Sequence, residues 1–266
     1  MSEARNTALR SGPQPGSPQV IFERTAGPGV AGESVTVAVS LYNYARFIEP
    51  CLDSVKAQTH RRLELIVVDD CSMDDNSVAA AKAWLEGHAE RFERVLLLRQ
   101  PRNQGCGAAR NVAFASASNN LVFLLDADNM IYPRAIARLH EVMRQGSYGA
   151  AYSQLEFFGA RRAIGLADFW SPRQFVGGNY VDAMALIDRD AWQKAGGYAD
   201  LYSWEDYDLW CKFVERGIEA AFVPEILCRY RVHGSSMLRT GSRSAHNDMI
   251  VQMTLRHPWL KLKTSD

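Results

Sequence analysis

The sequence predicts an α/β fold in which a mostly parallel central sheet, Rossmann-like in its organisation, is covered by helices on both faces. Three observations lead to this prediction: strands that are apolar throughout, single helical segments between them, and polar residues at the strand ends. Strands with apolar side chains on both faces are typical of a parallel sheet buried between helices. Right-handed crossovers are expected, and ligands of such sheets bind beyond the carboxyl ends of the strands.

The alternation of strand and helix begins at Val35 and continues to about residue 148. Strands are predicted at 35–41 (VTVAVSL), 63–70 (LELIVVDD), 94–100 (RVLLLRQ) and 120–128 (NLVFLLDAD). The helices between and after them are predicted from Phe47 to Val55, at 77–88, at 107–117 and from Pro133 onward. Further strands at 150–158 and 178–188, a loop-rich segment at 159–178 and a helix at 204–217 are then expected.

The two ends of the chain differ from this middle region. Residues 1–33 contain four of the ten prolines and five of the nineteen glycines, so a disordered N-terminal arm is predicted there. One domain is expected over 34–238 and a helical tail over 239–266. Within the tail, 244–260 is an amphipathic helical stretch suited to docking on the sheet or on a second subunit, which makes a homodimer one alternative.

Composition limits the partners. The chain has 30 basic and 30 acidic residues, so no charge surplus indicates nucleic acid or an anionic membrane surface. The five cysteines contain no C-x-x-C pair, which disfavours a zinc knuckle or a disulfide framework and favours a reducing compartment. No run approaches the roughly 18 apolar residues of a membrane span, and the first residues contain no apolar signal core. A cytoplasmic protein without an integral membrane segment is therefore expected.

Two aspartates separated by one alanine, Asp126 and Asp128, end the apolar strand in "NLVFLLDADN". Carboxylates this close repel each other unless a cation lies beside them. Oxygen ligands of this kind suit Mg²⁺ or Mn²⁺, ions that also neutralise a diphosphate. The alternative is that Asp128 or Asn129 caps the helix after Pro133.

A second acidic strand end is "VVDDCS", with Asp69 and Asp70. A carboxylate there is placed to accept hydrogen bonds from a nucleobase or a ribose, and the other aspartate is expected to cap the next helix. Tyr42, at the end of the first predicted strand, offers a flat ring on which a base can stack. Its alternative is a surface tyrosine in a turn with Asn43.

Five blocks in this order resemble the family-2 glycosyltransferases, inverting enzymes with the GT-A fold. The blocks are "VAVSLYNYARFIEPCLDSVKAQT", "LELIVVDDCSMDDNS", "NQGCGAARNVAFASA", "LVFLLDADNMIYP" and "SWEDYDLWCKF", and the resemblance covers Val35 to His233. It implies transfer from a nucleoside-diphosphate sugar, usually a UDP-sugar, to a hydroxyl of a glycan, lipid-linked or small acceptor. Residues 34–130 would form the nucleotide-sugar half, and 131–238 the acceptor and catalytic half.

The resemblance also assigns roles to residues. It implies donor binding by Ser40, Tyr42, Asp70, Arg110, Asp126, Ala127 and Asp128. Asp128 and His233, the latter in "YRVHGSSM", match the ligands of a divalent ion, Mn²⁺ or Mg²⁺. Arg110 is expected on the nucleotide side of the pocket, where it would screen Asp70; the alternative is an ion pair with one of the strand-end aspartates.

The acidic pair in "WEDYDLW" matches the family's catalytic position. Single displacement at an anomeric carbon needs a base for the acceptor proton, and Asp206 is the candidate, with Glu205 binding or orienting the acceptor. The structural alternative is that acidic residues simply favour the first turn of a helix. A second alternative for the whole protein is a degenerate member that binds a sugar nucleotide or glycan without transfer.

Overall fold

A ten-stranded sheet forms the centre of the computed structural model, which describes residues 16–26, 34–201, 203–234 and 243–263. The strands are β1 (Gln19–Thr25), β2 (Val35–Leu41), β3 (Leu63–Asp69), β4 (Arg94–Arg99), β5 (Leu121–Asp126), β6 (Met130–Ile131), β7 (Ala150–Gly159), β8 (Ala163–Ile164), β9 (Ala185–Asp188) and β10 (Ala220–Val232). The helices are α1 (Ala45–Lys56), α2 (Ser77–His88), α3 (Cys106–Ser116), α4 (Ala135–Gln145), α5 (Arg189–Ala195), α6 (Glu205–Glu215) and α7 (Arg243–Arg256).

The sheet is parallel where the sequence pattern is most regular. The strand order is β1-β4-β3-β2-β5-β9-β7-β10-β6, and β4, β3, β2 and β5 run parallel. β9 runs antiparallel between β5 and β7, and β7 pairs in parallel with β10. The register sets Ser40 beside Asp126 and Leu41 beside Asp69. The polar ends of neighbouring strands therefore meet at one edge of the sheet.

Helices cover both faces, as predicted. The buried side chains form two clusters, one on each face. β2 shows the division: Val35, Val37 and Val39 face the cluster under α1, α2 and α4, whereas Ala38 faces the cluster under α3 and α6. The apolar character of both faces of these strands follows from this double burial. Among the helices of the described ranges, none has the length and apolar character that a membrane span requires.

The prediction of a disordered arm over 1–33 is wrong for Gln19–Thr25. These residues form β1, which pairs antiparallel with β4 from Gln19 opposite Arg99 to Thr25 opposite Arg94. Ile21 and Phe22 pack partly against the core, which explains why this edge strand is ordered. The prolines and glycines on either side gave residues 1–33 the composition of a disordered segment, although seven of these residues form a strand. Residues 1–15 and 27–33 of the arm lie outside the described ranges.

Two other predicted boundaries are also corrected. The strand predicted at 178–188 is limited to Ala185–Asp188, because the chain before it makes other contacts: Trp210 Nε1 donates to the Val181 carbonyl, and Met184 N donates to Asp182. The helix expected to open at Pro133 begins at Ala135.

The end of the chain docks on α6. Asp208 on α6 is fully buried and lies 2.6 Å from Lys212 Nζ, 2.5 Å from Arg256 Nε and 3.0 Å from His257 Nε2. His257 Nδ1 also lies 2.6 Å from Glu215. α7 therefore docks on α6 of the same chain, with Met249 and Met253 buried in the cluster on that face of the sheet. Residues 239–242 and 264–266 of the predicted tail lie outside the described ranges.

We expect Asp208→Ala to lower the free energy of unfolding by about 3–5 kcal/mol at pH 7, because three cationic partners lose the buried carboxylate between them. Urea denaturation measures this difference. Glu86→Ala, which breaks the exposed pair with Lys82, is the control and should cost at most about 1 kcal/mol. Equal effects of the two substitutions would contradict the role of Asp208.

The same cluster makes stability depend on pH in a defined direction. Burial alone would raise the pKa of Asp208, but hydrogen bonds from His257, Arg256 and Lys212 hold it at about 2. Its contribution is therefore present above the unfolded pKa of about 3.9 and is lost as the pH falls through about 2. Burial lowers the pKa of His257, yet its bonds to Asp208 and Glu215 raise it overall. The contribution of His257 to stability is therefore fully present below its unfolded pKa of about 6.5. It is lost as the pH rises through the raised pKa that His257 has in the folded protein.

Candidate active site

A cavity of about 650 Å³ opens at the carboxyl edge of the sheet. The predicted site residues that line it are Ser40, Tyr42, Asp70, Arg110, Asp126, Asp128, Glu205 and Asp206. Two predicted residues lie outside its lining: Ala127 is buried and donates its amide to the Ser40 carbonyl, and His233 stands beside Asp128. The acidic pair at the end of β5 and the acidic pair that opens α6 therefore share one cavity, although some eighty positions separate them in the sequence.

Arg110 joins the two acidic pairs. Its Nη2 donates to Asp126 Oδ1 at 2.9 Å and its Nη1 to Glu205 Oε1 at 2.7 Å, and Ser40 Oγ donates to the same Asp126 oxygen at 2.9 Å. The predicted alternative of an ion pair with a strand-end aspartate is thus what the structure contains. The guanidinium points to these carboxylates, not to Asp70 as the screening interpretation expected.

A glycine allows α3 and α6 to approach closely enough for this bridge. A Cβ on Gly107 would lie 2.8 Å from the Ala199 carbonyl oxygen and 3.4 Å from Glu205 Cβ. Any side chain there would clash with the Ala199 carbonyl of the segment that precedes α6, whereas its contact with Glu205 would be close to ordinary packing. The glycine of "GCGAAR" therefore leaves room for the chain that leads into α6 to pass beside α3, one helix turn before Arg110.

Asp70 is fixed by three donors. Gln100 Nε2 donates to it at 2.6 Å, and the backbone amides of Gln104 and Gly105, just before α3, donate at 2.8 and 2.7 Å. Burial raises the pKa of this carboxyl, and the three hydrogen bonds only partly oppose it. Tyr42, 41% exposed, lines the same part of the cavity and leaves its ring accessible.

Asp69 has a different partner set from the one predicted. It accepts from the Ser72 amide at 3.1 Å and pairs with Arg99 Nε at 3.3 Å. It therefore stabilises the turn after β3 and does not cap α2, which begins five residues beyond that turn at Ser77.

Asp128 and His233 form a pair at 2.9 Å between Oδ2 and Nε2. The rings of Tyr44 and Phe47 pack against His233 with centroids 5.5 and 4.8 Å away. Burial, followed by the charge of Asp126, raises the pKa of Asp128, and His233 opposes the shift. The helix-cap alternative is not what the structure contains, because α4 has no side-chain cap.

These two side chains fit part of a divalent-ion site. A carboxylate oxygen and an imidazole nitrogen lie together, and Mg²⁺ and Mn²⁺ commonly complete such a set with water and substrate phosphates. Within the described ranges, no cluster of three His, Cys, Asp or Glu residues forms a complete cage. Asp126 is already bound by Arg110 and Ser40.

Glu205 and Asp206 differ in their surroundings. Glu205 is buried, and one of its carboxylate oxygens is paired with Arg110. Asp206 has neutral donors: Asn179 Nδ2 at 3.0 Å on Oδ2, and its neighbour Tyr207 N at 2.7 Å on Oδ1. Burial, with a further contribution from the charge of Glu205, raises the pKa of Asp206 to about 7. The bond to the Tyr207 amide satisfies one of the free amides in the first turn of α6, so Oδ1 of Asp206 has the helix-stabilising role that the sequence offered as an alternative. Among the described residues, Oδ2 accepts only from Asn179.

The sequence interpretation did not single out four residues of the cavity wall: Asn179, Asp182, Ile250 and Leu262. Asn179 and Asp182 lie in the segment read as strand, and burial, aided by the charge of Asp126, raises the pKa of Asp182 to about 6. The sequence signal for these two residues was that they are polar and three positions apart, between the pair Gly177 and Gly178 and an apolar strand. Ile250 and Leu262 also line the cavity, but only because α7 docks on α6; no local pattern reveals that contact.

Two curated relatives show how far the similarity extends. An uncharacterized glycosyltransferase from Nostoc sp. is 36% identical over 110 residues, which cover 41% of this chain and 33% of that protein. The putative glycosyltransferase EpsE from Bacillus subtilis is 25% identical over 245 residues, 89% of this chain and 86% of that protein. The chain thus spans about a third of the first relative and most of the second.

Solved structures share the fold at low identity. Staphylococcus aureus TarS in complex with UDP-GlcNAc matches with a TM-score of 0.67 and 15% identity, over 83% of this chain and 66% of that one. The mannosyltransferase PcManGT from Pyrobaculum calidifontis, in complex with GDP-Man and Mn²⁺, matches with a TM-score of 0.64 and 22% identity, over 84% of this chain and 63% of that one. These similarities confirm the GT-A fold.

The model of glycosyl transferase family 2 matches residues 36–194, more than half of the chain. This range contains the strand ends that carry Ser40, Asp70 and Asp126, and the helix that carries Arg110. The chain therefore belongs to glycosyl transferase family 2 and is a glycosyltransferase.

Proposed function

We propose that the protein transfers a sugar from a UDP-sugar to a hydroxyl acceptor with inversion, in a single displacement assisted by a divalent ion and by a carboxylate base. The observation that carries this proposal is the shared cavity in which Arg110 joins Asp126 to Glu205, with Asp128 and Asp206 in the same lining. Two acidic groups with different partners supply the two chemical needs, a leaving-group site and a proton acceptor. A cytoplasmic location, from the cysteine usage, belongs to this proposal.

The nucleoside end of the donor is assigned to the part of the cavity at Asp70 and Tyr42. The donors around Asp70 orient its carboxylate, so that a free lone pair can accept from a uracil imide. The Tyr42 ring provides a stacking face. Support for a nucleotide sugar comes from TarS, whose structure contains UDP-GlcNAc. PcManGT contains GDP-Man, so the base is the part of the proposal that most needs a test.

The diphosphate is assigned to the side of Asp128. Asp128 and His233 would hold the divalent ion, and that ion would neutralise the charge that develops on the leaving diphosphate. Arg110 keeps Asp126 turned toward α6 and compensates its charge, which lowers the repulsion between Asp126 and an incoming phosphate. Ser40 fixes the same carboxylate from the other side.

Asp206 is assigned as the base. A pKa of about 7 leaves the carboxylate basic enough to take a proton at neutral pH and still substantially ionised. Asn179 holds one of its oxygens in the cavity, where an acceptor hydroxyl can reach it. Glu205 is less suited to this step, because its paired oxygen is bound to a guanidinium. Its assigned role is to position Arg110 and the acceptor.

We expect UDP-sugars with Mn²⁺ to raise the Tm more than GDP- or TDP-sugars do. Saturation at about 100 Kd stabilises a protein by about 2.7 kcal/mol, which corresponds to about 5–10 °C for a chain of this size. Differential scanning fluorimetry measures the shift. Asp70→Asn should reduce the shift for UDP-sugars specifically, since an amide presents donors as well as an acceptor to the imide edge. A larger shift with a GDP-sugar would overturn the preference for uracil.

Release of nucleoside diphosphate in the presence of acceptor separates transfer from mere binding. A protein that only binds the sugar nucleotide would show the thermal shift without release. Under the proposal both signals occur, and release depends on Asp206.

A further inference from the structure

Residues 161–169, called here the rim segment, expose apolar side chains beside the cavity. Ile164, Leu166 and Phe169 are 52%, 84% and 68% exposed. Single exposed apolar residues are ordinary on a protein surface, but three within six positions form a local apolar patch. Gly165, Leu166 and Ala167 also line the cavity, so the patch lies at its mouth.

The rim segment is held firmly on the sheet. β8 pairs with β7, with Ile164 opposite Glu156. Beyond β8, Gln154 Nε2 donates to the Ala167 carbonyl at 3.1 Å, and Tyr152 Oη donates to the Asp168 carbonyl at 2.6 Å. The backbone is thus satisfied by the sheet, while the apolar side chains project outward. Their exposure is part of the fold.

Arginines surround the same rim. Arg161 and Arg162 are exposed, and the Arg161 guanidinium lies 5.3 Å from the centroid of Phe157. The guanidiniums of Arg229 and Arg231 lie 4.5 and 4.4 Å from the centroid of the Phe158 ring. A cation–π contact of this kind fixes the position of the guanidinium, but the aromatic ring does not neutralise its positive charge.

Few carboxylates balance these arginines. Glu156 pairs with Arg229 at 2.7 Å, and Asp168 accepts from the Phe169 amide of its own segment. Within the described ranges, Arg161, Arg162 and Arg231 form no ion pair with a carboxylate, although the charge of Arg162 helps to lower the pKa of Glu156. The balanced charge of the whole chain therefore conceals a basic surface next to the apolar patch.

We propose that the rim segment seats the enzyme on an anionic membrane surface, so that the cavity mouth faces the lipid. Apolar side chains that enter the interface, flanked by cations that meet anionic headgroups, are the combination by which proteins bind membranes peripherally. A protein partner would need carboxylates matched to the arginines around an apolar socket, whereas a bilayer supplies both components over any area. A lipid-borne acceptor hydroxyl follows, and this consequence rests on the proposed transfer function.

The test is flotation of the full chain with vesicles. We expect binding to phosphatidylcholine vesicles that contain about 30% phosphatidylglycerol, and little binding to pure phosphatidylcholine. Leu166→Ser with Phe169→Ser should lower the partition coefficient at least about tenfold. Arg161→Glu with Arg162→Glu should lower it about thirtyfold or more on the anionic vesicles, because each cation contributes about a fivefold factor near such a surface.

Control substitutions replace exposed residues of the same kind elsewhere. Val20→Ser with Val251→Ser removes apolar surface, and Lys82→Glu with Lys194→Glu reverses charge; both pairs should leave partition unchanged. Equal losses in the controls would overturn the assignment to the rim. If the wild-type protein bound neutral and anionic vesicles equally, the proposed role of the arginines would be wrong. If it bound neither kind of vesicle, the whole proposal would be wrong.

The thermal shift with UDP-sugar is measured on the same samples. Arg161→Glu with Arg162→Glu should leave that shift unchanged while abolishing flotation. If the shift fails in the wild-type protein but flotation persists, the proposed function is wrong and membrane seating stands. If the shift is present but the wild-type protein does not float with the vesicles, membrane seating is wrong and the proposed function stands.

Discussion

Replacement of Asp206 by asparagine is expected to lower kcat by about 10²–10⁴-fold, the usual contribution of a positioned general base. The substitution keeps the shape of the side chain, and the amide oxygen can still accept from Asn179 or from the Tyr207 amide. What is lost is the ability to take a proton. Release of nucleoside diphosphate, measured with saturating donor and acceptor, reports this loss directly. KM for the donor should change little, because the proposal assigns no donor contact to Asp206.

Asp182→Asn is the matched control for Asp206. Asp182 lines the same cavity, and its pKa is also raised, to about 6, chiefly by burial. Removal of its charge alters the electrostatics of the cavity to a similar extent, but its kcat should stay within about tenfold of the wild type if Asp206 alone is the base. Near-native turnover of the Asp206→Asn variant would refute the assignment, and equal losses in both variants would point to general electrostatics instead.

The pH dependence gives an independent check on the same residue. The base must be ionised, and the pKa of Asp206 is raised to about 7 by burial and by the charge of Glu205. We therefore expect log(kcat/KM) to rise with unit slope below pH 7 and to level off above it. The Asp206→Asn variant should lose this limb of the profile, since no ionisation remains at that position.

The parts of the fold and site that the sequence predicted are those governed by local pattern. Strands such as Val35–Leu41 are apolar on both faces because both faces are buried, and that property is visible residue by residue. The carboxyl ends of parallel strands must then lie at one edge of the sheet, so the sequence pattern predicts that Ser40, Asp70 and Asp126 lie together there.

The parts that escaped prediction depend on contacts between distant elements. The bridge from Arg110 to Glu205 requires α6 to dock on α3, and the missing Cβ at Gly107 leaves room for the Ala199 carbonyl of the segment before α6. Neither residue indicates the other in the sequence. β1 is ordered because it pairs with the edge of β4 and packs Ile21 and Phe22 on the core. The wall formed by Ile250 exists because Asp208 binds Arg256 at the end of α7.

Asp128→Ala is expected to lower turnover about 10²-fold or more at saturating Mn²⁺, because it removes the carboxylate that would hold the ion beside the leaving diphosphate. His233→Ala should lower turnover less than Asp128→Ala does, because the carboxylate that carries the charge is kept. The ring of His233 is oriented by Tyr44 and Phe47, so its loss leaves the position of the Asp128 carboxylate less restricted.

A measurement apart from turnover separates loss of the ion from loss of fold. Calorimetric titration of Mn²⁺ in the presence of UDP should show binding to the wild type and none to Asp128→Ala, while both proteins unfold at similar temperatures. Chelation should abolish turnover of the wild type, and added Mn²⁺ or Mg²⁺ should restore it. Turnover that persists in a chelator would remove the ion from the mechanism. Arg110 could not replace the ion, because its guanidinium is already paired with Asp126 and Glu205.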